Sequence, residues 1–151
     1  MGLKFLANLS VRSVILILII LGALVYGRVL TFPFVHDDVV FIVNNPHISE
    51  LNLNSILTYT AFPNQDYPQI NAYYRPLLEF IYRLEYKIFQ FNPWGYHLTN
   101  VLVHGFNSLL VFFIIKHLLG NNQWLGLAGA LLFFLHRDLF SVVPPEFQVA
   151  V

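Results

Sequence analysis

The stretch WGYHLTNVLVHGFNSLLVFFIIKHLL, residues 94–119, decides the fold class. It contains no acidic residue and no Lys or Arg before Lys116, and an apolar run of about 20 residues is long enough to cross a bilayer as a helix. The rest of the chain agrees with this, because 57% of its 151 residues are hydrophobic and only 11% are charged, whereas an ordinary soluble domain carries about 25% charged residues. We therefore predict an all-α integral membrane protein.

Two further apolar runs are predicted to enter the membrane. The first is VRSVILILIILGALVYGRVLTF. It has the charged start of a signal peptide, but GALVYG is a poor small-residue cleavage site, and we favour an uncleaved anchor. The apolar core of the other run, WLGLAGALLFFL, is short against the roughly 20 residues that a spanning helix needs. It must extend through HRDLFSVV, tilt or re-enter.

The basic residues around the first run predict the orientation. Lys4 and Arg12 precede it, and the positive-inside rule then places the N-terminus in the cytoplasm. Arg28 and Arg137 argue against this orientation. The predicted organisation is a cytoplasmic N-terminus at 1–12, transmembrane helices at 13–34, 94–119 and 124–142, an outer loop at 35–93, a cytoplasmic turn at 120–123 and a truncated or divergent tail at 143–151. Such a multi-pass protein belongs in a bacterial inner membrane or an ER-type membrane.

The outer loop contains an amphipathic pattern at about 75–91. Its apolar residues recur at helical spacing, and Glu79, Arg83 and Lys87 follow one another in steps of four on another face, which favours i,i+4 pairing. We predict a helix lying at the membrane interface; the alternative is a further, poor spanning helix. The apolar positions are Leu77, Phe80, Ile81, Leu84, Ile88 and Phe91, and the predicted aromatic belt is Tyr73, Tyr74, Tyr82, Tyr86, Trp94 and Tyr96.

Two sites in the outer loop carry candidate chemistry. Asp37 and Asp38 stand side by side just after the first span, where partial burial and mutual repulsion raise carboxylate pKa values and prepare a base. The alternative is a solvated turn. Arg75 stands at the start of the amphipathic helix, and a guanidinium there suits a phosphate. The alternative for Arg75 is nonspecific contact with lipid headgroups.

A polar strip runs along the predicted second span. His97, Asn100, His104 and Asn107 are spaced by three, four and three residues, which places them on one helix face. Polar residues inside a membrane are functional candidates, but they also join helices by hydrogen bonds. We interpret the strip chiefly as packing that supports the outer site, and we expect His136 to approach that site. The small residues of GLAGA, 126–130, predict close helix contact.

Taken together, these motifs resemble a known family. FVHDDVVFIVNNPHI, YYRPLLEFIYRLEY, FNPWGYHLTNVLVHGFNSLLVFFI and LAGALLFFLH follow the order seen at the N-terminus of GT-C fold glycosyltransferases similar to protein O-mannosyltransferases. The similar branch often carries C-terminal tetratricopeptide repeats. The resemblance covers roughly 12–136. Beyond His136 the chain departs from the family, which usually has a proline there and then a short helix with an acid and a tryptophan.

The resemblance implies a reaction. Asp37 would act as the catalytic base and Asp38 as its partner, and a sugar on a polyprenyl phosphate would be transferred with inversion to a hydroxyl on a protein or glycan. Arg75 is a candidate for stabilising the leaving phosphate by its chemistry more than by its motif. Other partners would be membrane lipids. No cofactor besides the lipid-linked donor is predicted, and a need for a divalent metal stays open.

Other classes of function were weighed against this one. The eight basic and eight acidic residues balance, so no positive field favours nucleic acid, and the absence of cysteine excludes thiol chemistry and a disulfide framework. A transporter half is disfavoured by the lack of charge in 94–115. A noncatalytic membrane anchor, or a degenerate fragment, is the main alternative. We expect the chain to be an N-terminal portion and to be inactive alone.

Overall fold

The computed structural model describes residues 10–35, 37–58 and 75–136. Regular structure in these ranges is helical throughout, which agrees with the all-α prediction. Five α-helices are described there, with a short 3-10 helix at Val29–Thr31 and a π-helix at Val39–Val43, here called the π-turn. The α-helices are α1 (Val11–Tyr26), α2 (Leu53–Thr58), α3 (Pro76–Phe89), α4 (Pro93–Leu118) and α5 (Gln123–Phe134).

The chain divides into two compact units. Residues 1–29 and 98–151 form the first, called the bundle unit, and residues 30–97 form the second, called the loop unit.

In the bundle unit, α1 buries a stripe of residues four apart. Val14, Leu18 and Tyr26 are buried in one apolar cluster, and Gly22 continues the stripe. This spacing places side chains on one helix face, so one side of α1 packs while Leu16, Ile19 and Leu24 stay exposed on the other. The cluster is completed from α4 and α5 by Phe112, Leu127, Ala130 and Phe134.

The predicted close contact at the small residues of α5 is confirmed. A Cβ added at Gly126 would lie 2.8 Å from the carbonyl oxygen of Phe112, and one added at Gly129 would lie 2.1 Å from Cδ1 of Ile115. These separations are well inside van der Waals contact, so α5 approaches α4 closely because both positions lack a side chain. Small residues serve this purpose in membrane helix pairs.

The predicted polar turn between the last two helices is also confirmed. α4 ends at Leu118, and Gly120 and Asn121 take positive φ angles of 67° and 60°, a region that glycine and asparagine tolerate best. The side chain of Asn122 then accepts hydrogen bonds from the backbone N–H groups of Trp124 and Leu125, as an N-cap residue does. The chain therefore reverses within a few residues.

Among the described residues, α4 is the single helix long and apolar enough to cross a membrane. Its 26 residues extend about 39 Å at 1.5 Å per residue, against a hydrocarbon thickness of about 30 Å. α1 and α5 are apolar but have 16 and 12 residues, or about 24 and 18 Å. α5 ends at Phe134, and Leu135 and His136 are not helical; the rest of the predicted continuation, 137–142, lies outside the described residues. Three spans remain a prediction.

The loop unit has an aromatic core. Ile42, Ile48 and Tyr96 are buried together, and Tyr96 donates a hydrogen bond of 2.8 Å to the carbonyl oxygen of Gln90. Tyr96 was expected in an aromatic belt at the interface, but it is 3% exposed and belongs to this core. The rings packed around the cluster are Phe34, Tyr82, Tyr86 and Phe89. Tyr73 and Tyr74 lie outside the described residues.

Helix α3 is amphipathic, as the sequence predicts, with Pro76 in its first turn. Its apolar face is the exposed one: Leu77 is 72% exposed and Ile88 is 65% exposed. The charged face is turned inward, since Arg83 and Glu85 are buried. The predicted pair of Glu79 and Arg83 is confirmed, with Arg83 Nη2 lying 2.7 Å from Glu79 Oε1.

Candidate active site

The two adjacent acids stand at the entrance to the π-turn. The Asp38 N–H donates to the Val35 carbonyl oxygen at 2.9 Å, and the Val35 N–H donates in return to Oδ2 of Asp38 at 3.5 Å. This reciprocal pair fixes the backbone where the acids begin. Asp37 is exposed and Asp38 is half-buried, so the two neighbouring carboxylates occupy different environments.

Burial raises the pKa of the Asp38 carboxyl above its usual value. The hydrogen bond from Val35 and the nearby His97 oppose this rise, whereas the neighbouring Asp37 adds to it. Desolvation disfavours the charged form of a carboxylate, and here it outweighs the hydrogen bond. The Asp38 carboxyl therefore holds a proton more strongly than a carboxyl in water does.

Tyr82 joins the site, although the sequence placed it only in an aromatic belt. Burial, and then the charges of Asp38, Glu85 and Asp37, raise its pKa to about 12, while Arg75 lowers it. The phenol therefore stays protonated at neutral pH and lies within the field of both acids and of Arg75. The signal was present in the spacing, because Tyr82 follows Arg75 by seven residues and so lies two turns further along the same helix face.

Arg75 caps the N-terminus of α3. Its carbonyl oxygen accepts the first helical hydrogen bond, from the Glu79 N–H at 3.0 Å, and its side chain makes no capping bond to the helix. The residue is exposed. Its charge acts on Tyr82, as do the charges of both acids.

The polar strip of α4 divides between the two units. His97 belongs to the loop unit, and its Nε2 lies 3.1 Å from the Phe32 carbonyl oxygen. A carbonyl can only accept, so Nε2 carries the hydrogen. The imidazole is thereby held within the field of Asp38. His97 is the member of the strip whose charge acts on Asp38.

His104 belongs to the bundle unit and joins two of its helices. Its Nε2 lies 3.0 Å from the Phe134 carbonyl oxygen, and its ring stacks on those of Phe133 and Phe134 with centroids 5.1 and 5.3 Å away. Tyr26 also donates its hydroxyl hydrogen to the Phe134 carbonyl oxygen. These contacts match interhelical packing. Asn100, Asn107 and His136 are exposed members of the same unit.

The chain is similar to curated protein O-mannosyl-transferases. It is 33% identical over 121 residues to TMTC1 from Mus musculus, covering 76% of this chain and 12% of that protein. It is 33% identical over 118 residues to TMTC2 from Homo sapiens, covering 77% of this chain and 14% of that protein. TMTC3 from Homo sapiens is 28% identical over 132 residues, covering 86% and 14%.

These relatives confirm the resemblance inferred from the motifs. The chain spans 12 to 14% of the length of these three proteins. No protein-family model matches the chain, and no solved structure matches it significantly.

Proposed function

Because the chain is a homologue of the protein O-mannosyl-transferases, we propose that it forms the acid-bearing part of a membrane glycosyltransferase. The observation that supports this proposal is that Asp37, Asp38 and Arg75 lie in one compact unit and that the charges of all three act on Tyr82. A base and a cation are the two groups that sugar transfer from a lipid phosphate needs. The donor we propose is a polyprenyl-phosphate sugar, and the acceptor is a hydroxyl of a protein or glycan.

Asp37 takes the proton of the acceptor hydroxyl in the proposed reaction. The acceptor oxygen then attacks the anomeric carbon, and the bond from that carbon to the phosphate oxygen breaks with inversion. The phosphate leaves with the bonding electrons, and the Arg75 guanidinium stabilises its charge. The exposure of Asp37 suits a residue that meets an arriving acceptor. Asp38, fixed by the Val35 backbone, orients the acceptor.

We propose that α3 rests on the outer membrane surface. Its exposed side is largely apolar, whereas Arg83 and Glu85 are buried in the loop unit. This is the reverse of a soluble amphipathic helix, which turns its apolar side inward. Such a helix lies in the interface with its apolar face among the lipids. α3 ends at Phe89 and α4, the helix long enough to span, begins at Pro93. This placement would bring Arg75 and the acids to the depth at which a lipid phosphate stands.

A transfer assay with Asp37→Asn tests the function. The gene's full product, in membranes, is supplied with polyprenyl-phosphate mannose, the sugar that the names of the relatives give, and an acceptor peptide. Loss of a general base costs about 100- to 10,000-fold in rate, and we expect a fall in this range with unchanged expression and donor binding.

Glu50→Gln is the matched control for this assay. It removes another carboxylate of the loop unit, whose contact with His47 Nδ1 is 3.1 Å long and exposed, and exposed pairs contribute about 1 kcal/mol or less. Equal rates for Asp37→Asn and Glu50→Gln would refute the assignment of the base. Failure of the unsubstituted protein to transfer sugar would favour a noncatalytic anchor or interaction protein.

A further inference from the structure

The loop unit contains an arginine whose entire side chain is buried. Arg83 is 0% exposed, and each side of its guanidinium meets a different segment. Nε donates to Glu79 Oε1 at 2.8 Å, and Nη1 donates to the Glu50 carbonyl oxygen at 2.9 Å and to Ser55 Oγ at 2.7 Å. A single side chain of α3 therefore reaches the turn before α2 and α2 itself.

Glu79 extends this network to the π-turn. Its Oε1, which meets Arg83, also accepts a hydrogen bond of 2.9 Å from Asn45 Nδ2. The same amide nitrogen donates to the Phe41 carbonyl oxygen at 3.1 Å, and Asn45 Oδ1 accepts from the His47 N–H at 2.9 Å. Asn45 is buried. Its amide nitrogen meets two acceptors and its amide oxygen meets a donor, so the orientation of the side-chain amide is fixed.

A buried ion pair is a poor choice if stability alone is needed. The cost of removing both charges from water rivals their attraction, and apolar side chains of similar volume often serve as well or better. What the Asn45–Glu79–Arg83 network supplies is a defined arrangement, because its hydrogen bonds join the π-turn, α2 and α3 through directional contacts. Asp37 and Asp38 directly precede the π-turn, and Arg75 directly precedes α3.

We propose that Glu79 and Arg83 are positioning residues that set the distance between the acid pair and Arg75. The inference rests on the proposed transferase function for its catalytic consequence, but its geometric part stands without it. The π-turn supports this role, because π-helices are rare in proteins and those that occur are often found at functional sites. Here the turn carries the acids at one end and is held by Asn45 just beyond the other.

The geometric part is tested by a distance measurement. The chain has no cysteine, so Asp37→Cys and Arg75→Cys, both at exposed positions, are its two thiols for spin labels, and any cysteine elsewhere in the gene's full product is replaced by serine. The distance distribution between the labels is measured by pulsed electron resonance in the gene's full product. It is compared with that of the same protein carrying Glu79→Gln and Arg83→Met. Gln keeps an acceptor for Asn45, and Met keeps length without charge. We expect a shifted or broadened distribution.

Lys87→Met is the matched control. It removes a cation from the next turn of the same helix, where Lys87 is exposed, and we expect no change in the distance distribution. A further label pair in the bundle unit, at Leu16 and Leu24 on the exposed side of α1, should be unaffected by every loop variant. An unchanged Asp37–Arg75 distribution in the Glu79→Gln/Arg83→Met protein overturns the proposal.

The catalytic part is tested with unlabelled proteins. A displacement of about 1 Å at a reacting group costs on the order of 100-fold in rate, so Glu79→Gln/Arg83→Met should lower kcat by that order with little change in KM for the donor. A changed distance with unchanged kcat overturns the positioning role. If the unsubstituted protein transfers no sugar while the distance still changes, the transferase proposal fails and the geometric inference stands.

Discussion

The single substitution Arg83→Met should destabilise the loop unit strongly. It leaves the Glu79 carboxylate, with a side chain 11% exposed, without its counter-ion, and it removes the donors to the Glu50 carbonyl oxygen and Ser55 Oγ. Removing one partner of a buried pair costs about 3–5 kcal/mol. The slight exposure of Glu79 favours the lower end, and about 3 kcal/mol corresponds to roughly a 150-fold rise in the opening equilibrium.

The opening equilibrium is measured by thiol labelling. Ile48 is buried in the loop core, so Ile48→Cys in this cysteine-free chain reacts with a maleimide only when the core opens. We expect the labelling rate to rise about 100-fold with Arg83→Met, and less with Glu79→Gln/Arg83→Met because no buried charge is then left alone. Leu53→Cys, at an exposed position, gives the unprotected rate. Equal labelling of Ile48→Cys with and without Arg83 would refute the reasoning.

Four further outcomes are expected. His104→Leu should lower detergent stability by about 1 kcal/mol and leave transfer largely intact, because His104 contacts Phe134 in the bundle unit; lost transfer at normal stability would contradict this. Gly126→Val should lower the melting temperature more than Ala128→Val, since a Cβ at Gly126 meets Phe112 and Ala128 is exposed; equal temperatures would count against the packing. A cysteine at Asn64 should react with an impermeant reagent on intact cells; reaction only after lysis would reverse the proposed orientation. Asp38→Asn should stabilise the loop unit at neutral pH, as measured by the same thiol labelling, but not at acid pH, as measured by hydrogen exchange.

The sequence predicts the helices well because their signals are local. The long uncharged run gives α4, and the small residues of GLAGA predict the close approach at Gly126. The pair of Glu79 and Arg83 follows from a four-residue step. Its burial does not, because the groups that enclose it come from Asn45, Glu50 and Ser55, about 30 positions away in the chain. A helical pattern shows which residues share a face and not which face is covered.

The sequence predicts the candidate site only in part, because local patterns do not show which distant residues a side chain meets. Asp37 and Asp38 stand out because adjacent acids beside an apolar run are costly. The strip on α4 looked uniform from spacing alone, yet His97 bonds to Phe32 in the loop unit and His104 to Phe134 in the bundle unit. Tyr82 was missed because an exposed and a buried tyrosine have the same place in an aromatic pattern.

The half-buried position of Asp38 lowers the stability of the loop unit at neutral pH, and a substitution should reveal this loss. Burial raises its pKa in the folded chain, so the folded state binds a proton more strongly than the unfolded state does. By linkage, ionised Asp38 then weakens folding at pH values above the raised pKa, and this penalty disappears as the pH falls below the pKa of the unfolded chain. Asp38→Asn removes the penalty, although the Val35 N–H loses a charged acceptor.

The Ile48→Cys labelling rate should therefore be lower in Asp38→Asn than in the parent at pH 7. The difference should shrink when both proteins are compared by hydrogen exchange at acid pH, where maleimide no longer reacts. Asp37→Asn, at an exposed neighbouring position, should leave a smaller difference at either pH. If Asp38 were retained only for stability, Asp38→Asn would instead raise the Ile48→Cys labelling rate at pH 7. Greater stability with asparagine at neutral pH would thus indicate that the half-buried carboxylate stands beside the π-turn for its chemistry.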